Sequence, residues 1–341
     1  MATSDIDIEN MALLEASTSS SSSQTTSVSR TDQPSTSSPN PPPSPKPFKK
    51  SLISWDDLPH WMRDNHYIHT GYVPQTNSLA HSIHSLTYLH NESVNIYSHL
   101  LPAILAIFFC IALAALLTFF SISILPQYPD HPSTPPYLLP DSAAFFIFAL
   151  GVAGCLGLSA TFHTLKSHSH AVATLGNKLD YLGIVLLIVA SMVSLVNYSF
   201  ADMPAPRIFF WSLTLLLGAA CATVSLDSKF RTPDWRPYRA AMFVAFGLSG
   251  VFPVITGLFV FGLQETAKRS QLFYLLNEAF FYISGAAIYA ARIPERWHPG
   301  KYDLFGHSHQ IFHFFVVIAA VFHGTALYKA CQYAHQVTIS V

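Results

Sequence analysis

His309 and His313 stand four residues apart at the start of an apolar run that extends to about Lys329. On an α-helix, positions i and i+4 share one face, one turn apart. Two imidazoles placed so can share one metal ion, by the geometry that lets the two histidines of HExxH bind zinc. Structural zinc takes four ligands and catalytic zinc three plus water, so the pair needs a further donor at the same depth. His163 lies three residues before Lys166, at the end of one apolar run. Asp180 lies two residues past Lys178, at the start of the next. Ser159 is one turn before His163 on the same helix face. Three neutral imidazoles with an open position match a catalytic zinc site, where bound water has a pKa lowered to about 7. Asp180 fits better as the group that orients this water, or as general base, than as a fourth ligand. The competing reading puts these histidines at headgroup depth, bonded to lipid phosphate or backbone.

Everything then depends on whether remote runs reach one depth. Half of the 341 residues are hydrophobic and only 11% are charged. Soluble domains carry about 25% charged residues, so the composition indicates a membrane protein. A net charge of -1 speaks against a nucleic-acid partner. Seven apolar stretches come near the roughly 20 residues a bilayer requires. They lie at about 98–124, 142–165, 177–199, 207–227, 238–261, 271–291 and 308–331. The fold class expected is an all-α membrane protein, a seven-transmembrane helix bundle. Lys166, Lys178, Lys229, Arg231, Arg236, Arg239, Arg292, Arg296 and Lys301 fall in one set of junctions, nine against four in the other set (Arg207, Lys268, Arg269, Lys329). The positive-inside rule makes the first set cytosolic. The N-terminus is then cytosolic and the C-terminus extracellular, and His163, Asp180, His309 and His313 all lie just within the cytosolic edge. Ionisable groups there are costly, face the bundle interior and are functional by default.

Residues 1–50 are Ser/Pro-rich and read as a disordered cytosolic tail. No run in it looks like a signal peptide: Met1 to Leu14 is acidic and lacks a basic n-region and an apolar h-region. Residues 51–97 form a cytosolic segment with turns at Pro59 and Pro74 and a short amphipathic helix from Asn77 to His90, lying on the membrane surface before the first span. Residues 98–331 form the seven-span domain and 332–341 a short extracellular tail. Cys110, Cys155, Cys221 and Cys331 have no ligand spacing and read as packing residues. Pro102 is placed in the first turn of its span, where proline is tolerated, and Pro253 is expected to kink the fifth. His99 reads as interfacial. Arg231, Arg236 and Arg239 read as topology anchors. Glu278 is the carboxylate well inside a span, with Asn277, a neighbouring Tyr or the cavity as its expected surroundings. His323 lies about 21 Å beyond His309, too far to share the metal.

The stretches NESVNIYSHLLP from Asn91, SATFH ending at His163, KLDYLGI from Lys178, YRAAMFVAFGLSGVFP from Tyr238 and AARIPERWHPGKYDLFGHSHQIFH from Ala290, with VVIAAVFH closing at His323, resemble the adiponectin and progestin receptor family, which includes the haemolysin-III-like proteins. The resemblance spans about 55–335 and is similar in flavour to the fungal members. It implies zinc ligands at His163, His309 and His313, a water-binding Asp180 and the family's serine at Ser159. It also implies a receptor-like protein with Zn2+ facing a lipid-accessible cavity. The related alkaline ceramidases share the Ser, Asp and His pattern, and the adiponectin receptors are credited with ceramidase activity. The fungal members are connected with lipid, sterol and zinc homeostasis and with sensing osmotin-like proteins.

Two functions are carried forward. One is a receptor-like, zinc-dependent hydrolase of a lipid amide (ceramidase type). The other is a non-enzymatic receptor with structural zinc. A zinc transporter fits less well, because the seventh span is apolar between His313 and His323. The partners to test are a ceramide or sterol-like membrane lipid within the bundle, an extracellular protein ligand and a second copy of the chain. The location expected is the plasma membrane or an endomembrane.

Overall fold

A computed structural model describes residues 51–119 and 141–339. The tail at 1–50, the end of the first apolar stretch at 120–124 and the last two residues lie outside the described residues. The described chain is helical, with one isolated antiparallel bridge between Ile53 and Tyr72. Its α-helices are α1 (Leu79–His84), α2 (Ser93–Phe119), α3 (Asp141–Leu165), α4 (His170–Ser199), α5 (Pro204–Leu226), α6 (Arg236–Leu248), α7 (Val251–Phe261), α8 (Leu263–Arg269), α9 (Leu272–Ala291) and α10 (Ser308–Ile339). Seven spans are long and apolar enough to cross a membrane: α2, α3, α4, α5, the pair α6–α7, α9 and α10. Consecutive spans pack side by side, and α10 closes the bundle against α9 and α2 while also touching α4.

The outer faces carry large apolar side chains such as Phe108, Leu216 and Phe259, because lipid solvates them as well as a core would. Inside, Ala103, Cys155, Leu156, Leu187 and Val316 pack from four spans. The four cysteines are buried and free, in keeping with a packing role.

Two prolines behave differently from each other. α2 begins at Ser93, so Pro102 lies inside the helix and not in its first turn. Its missing N–H leaves the Ser98 carbonyl without its helical donor. Pro253 breaks its span as expected. It cannot donate to the carbonyl of Ser249, and the helix is interrupted at Ser249–Gly250. The Ser249 carbonyl takes the Phe252 N–H instead, at 3.1 Å. The last helix runs to Ile339, past the boundary at 331 expected from hydropathy.

Small residues set the spacing of α3 and α4. A Cβ on Gly151 would sit 2.5 Å from the Ala190 Cβ, and one on Gly183 would meet the Cys155 backbone at 3.0 Å. Close backbone approach of this kind is how membrane helices gain packing energy. Gly151→Ala is therefore expected to force α3 and α4 apart. Overpacking costs about 1–3 kcal/mol, which a thermal melt of the detergent-purified protein would register as a lower midpoint.

The segment before α2 is compact and fixed to the α9–α10 connection. Asp303 accepts the backbone N–H groups of His69 and Thr70 at 2.9 and 2.8 Å, and the Thr70 hydroxyl at 2.6 Å. Glu295 is fully buried and accepts from Asn65 Nδ2 at 3.0 Å and from the Ser308 N–H at 2.7 Å. That second bond satisfies an orphan donor at the start of α10. It thereby fixes the turn that carries His309.

Candidate metal centre

α3 ends and α10 begins at the basic end of the bundle, and their histidines meet there. The ring centroids of His163, His309 and His313 form a near-equilateral triangle. Its sides are 4.9 Å (His163–His309), 4.9 Å (His163–His313) and 4.8 Å (His309–His313). One ligand atom from each lies within 4.8 Å of the others. His163 and His313 are buried, and His309 is half-buried.

Glu92, just before α2, and Asn95, Ser98 and His99 on α2 supply the surroundings, at i, i+3, i+6 and i+7. Glu92 bonds His163 Nδ1 at 2.8 Å. Asn95 donates to Glu92 at 2.6 Å, and its carbonyl lies 3.0 Å from His313 Nδ1. Ser98 Oγ lies 3.2 Å from that same nitrogen. His99 stacks on His313 with centroids 3.7 Å apart and planes 6° from parallel. His99 was read as interfacial; it is buried because α2 starts at Ser93 and carries it nearly two turns into the bundle.

These contacts fix the tautomers. With Nδ1–H of His163 given to Glu92 and that of His313 to the Asn95 carbonyl, both Nε2 atoms keep a lone pair. His163 Nε2 is buried and bonds nothing among the described residues. An unpaired buried polar atom is costly. Three imidazoles with converging, unspent nitrogens are what a divalent metal would satisfy, and carboxylate or carbonyl partners on the far nitrogen are the usual support of metal-ligating histidines. The site fits a metal.

Glu92 also bonds Lys166 Nζ at 2.7 Å. Burial pushes its carboxyl up, but the Lys166 ammonium and the hydrogen bonds from His163 and Lys166 outweigh that and hold it well below the usual carboxylate range. It is thus an anion facing His163 at neutral pH. Glu92→Gln keeps the size but loses the charge. It is expected to weaken metal affinity about 10- to 100-fold, read by metal competition with a chelator of known affinity.

Asp180 on α4 and Ser159 on α3 line the same cavity as His309 and His313. The Ser159 hydroxyl lies 2.9 Å from His99 Nδ1, on the wall of the cavity that Asp180 also lines. Four of the five residues singled out from sequence therefore line one cavity, and His163 packs against two of them, His309 and His313. Its volume is about 590 Å³, and its walls are mostly apolar, with Ile184, Leu187, Phe243 and Val254 among them. It extends from the histidines to Glu278 and His323.

Sequence reading missed Glu92, Asn95, Ser98 and His99. Their signal was a polar stripe at helical spacing at the start of an otherwise apolar helix. Arg236 and Arg239 are more than surface anchors: both are buried, with their guanidinium groups 3.9 Å from the centre of the Tyr289 ring and 5.3 Å from that of Tyr181. Tyr289 in turn packs on His309 at 5.1 Å. His307 is buried but turns to the Asn91 carbonyl, outside the ligand group.

A second donor group (Asp141, Cys331 and His335) sits at the other end of α3 and α10. Its members are engaged with one another. Tyr198 donates to Asp141 Oδ1 at 2.9 Å, and His335 Nε2 lies 2.7 Å from Oδ2. The group ties the far ends of α3, α4 and α10.

Fold and site together define a multi-pass integral-membrane protein of seven helical spans, with a buried three-histidine group able to hold a metal ion. Comparison with known proteins gives the family. The haemolysin-III-related profile matches residues 87–324. The chain is 46% identical over 287 residues to the ADIPOR-like receptor IZH2 of Saccharomyces cerevisiae, covering 84% of this chain and 86% of that protein. It is 43% identical over 283 residues to the ADIPOR-like receptor IZH1 of Eremothecium gossypii, covering 82% and 84%. The adiponectin receptor protein of Drosophila melanogaster is 37% identical over 281 residues, covering 81% of this chain and 59% of that one. The chain belongs to the haemolysin-III-related family of adiponectin-receptor-like membrane proteins.

Proposed function

We propose that this protein is a receptor-like, zinc-dependent hydrolase of lipid amides, of the ceramidase type, acting in lipid, sterol and zinc homeostasis. One observation carries the proposal: the three imidazoles, a carboxylate and a hydroxyl converge on the polar end of an apolar cavity. Donor chemistry of nitrogen only, in a group of three, suits zinc with an open position. Zinc held there supplies Lewis-acid polarisation of a carbonyl and a more acidic water.

The chain's own residues do the rest. The apolar walls take the acyl chain and exclude bulk water from the amide. His163 and His313, held by Glu92 and Asn95, keep their Nε2 atoms turned to the metal position. Asp180 accepts the proton of the attacking water at a carboxylate oxygen and returns it to the leaving amine nitrogen. Ser159, turned from His99, donates its hydroxyl proton to the carbonyl oxygen as charge develops there. The charge bias of the junctions supports a cytosolic position for this end.

Metal analysis of the purified protein, run beside ceramide turnover, tests the proposal. Zinc at one equivalent with turnover supports it. A His309→Ala protein that retains both zinc and full amidase activity sinks it.

A second reading, a non-enzymatic receptor with structural zinc, also has an observation in its favour. The three histidines come from α3 and α10, and both helices are bonded to α2, so a metal would lock three spans together. Under that reading Asp180→Asn leaves signalling intact.

A further inference from the structure

Glu278 on α9 and His323 on α10 form a polar pair deep in the bundle, and the proposed reaction uses neither. His323 Nδ1 lies 2.9 Å from Glu278 Oε2. The His323 ring packs on Phe148 with centroids 4.8 Å apart, and its Nε2 is buried without a partner. The other carboxylate oxygen, Oε1, makes no hydrogen bond among the described residues. Both side chains line the same cavity as His309 and His313. His323 lies ten residues beyond His313 on one helix, about 15 Å along it.

A carboxylate at such depth is expensive. A purely structural pair would be expected to use all its capacity, since a half-satisfied buried polar group is worse than an apolar one. Here one oxygen and one ring nitrogen are left over, and their surroundings, Leu275, Ala279 and Tyr282, are apolar or aromatic. The unmet capacity is that of an acceptor, some 15 Å along α10 from His313, inside a mostly apolar cavity.

We infer that Glu278, held by His323, recognises a hydroxyl on the hydrocarbon chain of a lipid whose polar head lies at the three-histidine end. The hydroxyl donates to Glu278 Oε1. A chain without the hydroxyl still fits but leaves the carboxylate unpaired. The pair therefore sets preference for hydroxylated over plain chains and takes no part in bond cleavage. This inference rests on the reading of the cavity as a lipid site.

The test uses the metal-loaded full chain in detergent and two probes, oleic acid and its mid-chain hydroxylated counterpart ricinoleic acid. Binding is read by calorimetry or competition. Ricinoleic acid is expected to bind about tenfold tighter, as a hydrogen bond to a charged group allows. The double variant Glu278→Leu/His323→Phe removes both members of the pair at once, which buried pairs tolerate better than loss of one. It is expected to lose the preference and bind the two acids about equally. Equal binding of the two acids by wild type, or a preference that survives in the double variant, overturns the inference and leaves the lipid cavity standing. If wild type binds neither acid, the lipid reading itself falls and the inference with it. The wild-type comparison decides the matter even where the variant fails to fold.

Discussion

Asp180→Asn is expected to abolish amide turnover while the metal stays in place. The carboxylate lines the cavity beside the three imidazoles but belongs to α4, whereas the ligands sit on α3 and α10. Asparagine preserves size and one acceptor oxygen, so the wall can survive. What it removes is a group that can hold a proton. A positioned acid–base group is worth about 10²–10⁴-fold in rate, or about 3–5 kcal/mol of barrier. The measurement pairs metal content with ceramide turnover on the same preparation. Loss of turnover with one equivalent of metal supports the hydrolase. Turnover within a few-fold of wild type would remove Asp180 from the chemistry and favour the receptor with structural zinc.

The three-histidine cluster was legible in the sequence because two independent patterns intersect on it. Helical spacing paired His309 with His313, and the distribution of Lys and Arg brought His163 to the same depth. Neither pattern speaks about α2. His99 stands where hydropathy begins, so it looked interfacial; the helix in fact starts six residues earlier, at Ser93. The same early start moved Pro102 from a first turn to a helix interior. Glu92 was invisible as a partner because its neighbours, Lys166 and His163, are more than seventy residues away. The partner of Glu278 was legible only in part. Sequence offered Asn277 or a neighbouring Tyr, and the Asn277 amide bonds the Phe273 carbonyl instead. Hydropathy thus located the seven spans, whereas side-chain pairing across spans depended on rotations that no single-helix pattern records.

His313→Ala is expected to lose the metal and, with it, the stabilisation that metal lends the bundle. Its imidazole does three things at once. It offers a nitrogen to the metal position, bonds the Asn95 carbonyl and Ser98 through Nδ1, and stacks on His99. Alanine leaves a hole in a buried site and frees those partners. Because the ligands sit on α3 and α10 while α2 is bonded to both, a bound metal resists separation of three spans. Ligand binding to the folded state alone adds about 4 kcal/mol when free metal is a thousandfold above its dissociation constant. A chelator should therefore lower the thermal midpoint of wild type by several degrees. The His313→Ala protein should melt lower from the outset and show no further drop with the chelator. This second comparison separates metal loss from simple cavity formation, because a protein that had lost only packing would still respond to chelation. A variant that melts like wild type and still responds would place the metal elsewhere, away from the triangle of His163, His309 and His313.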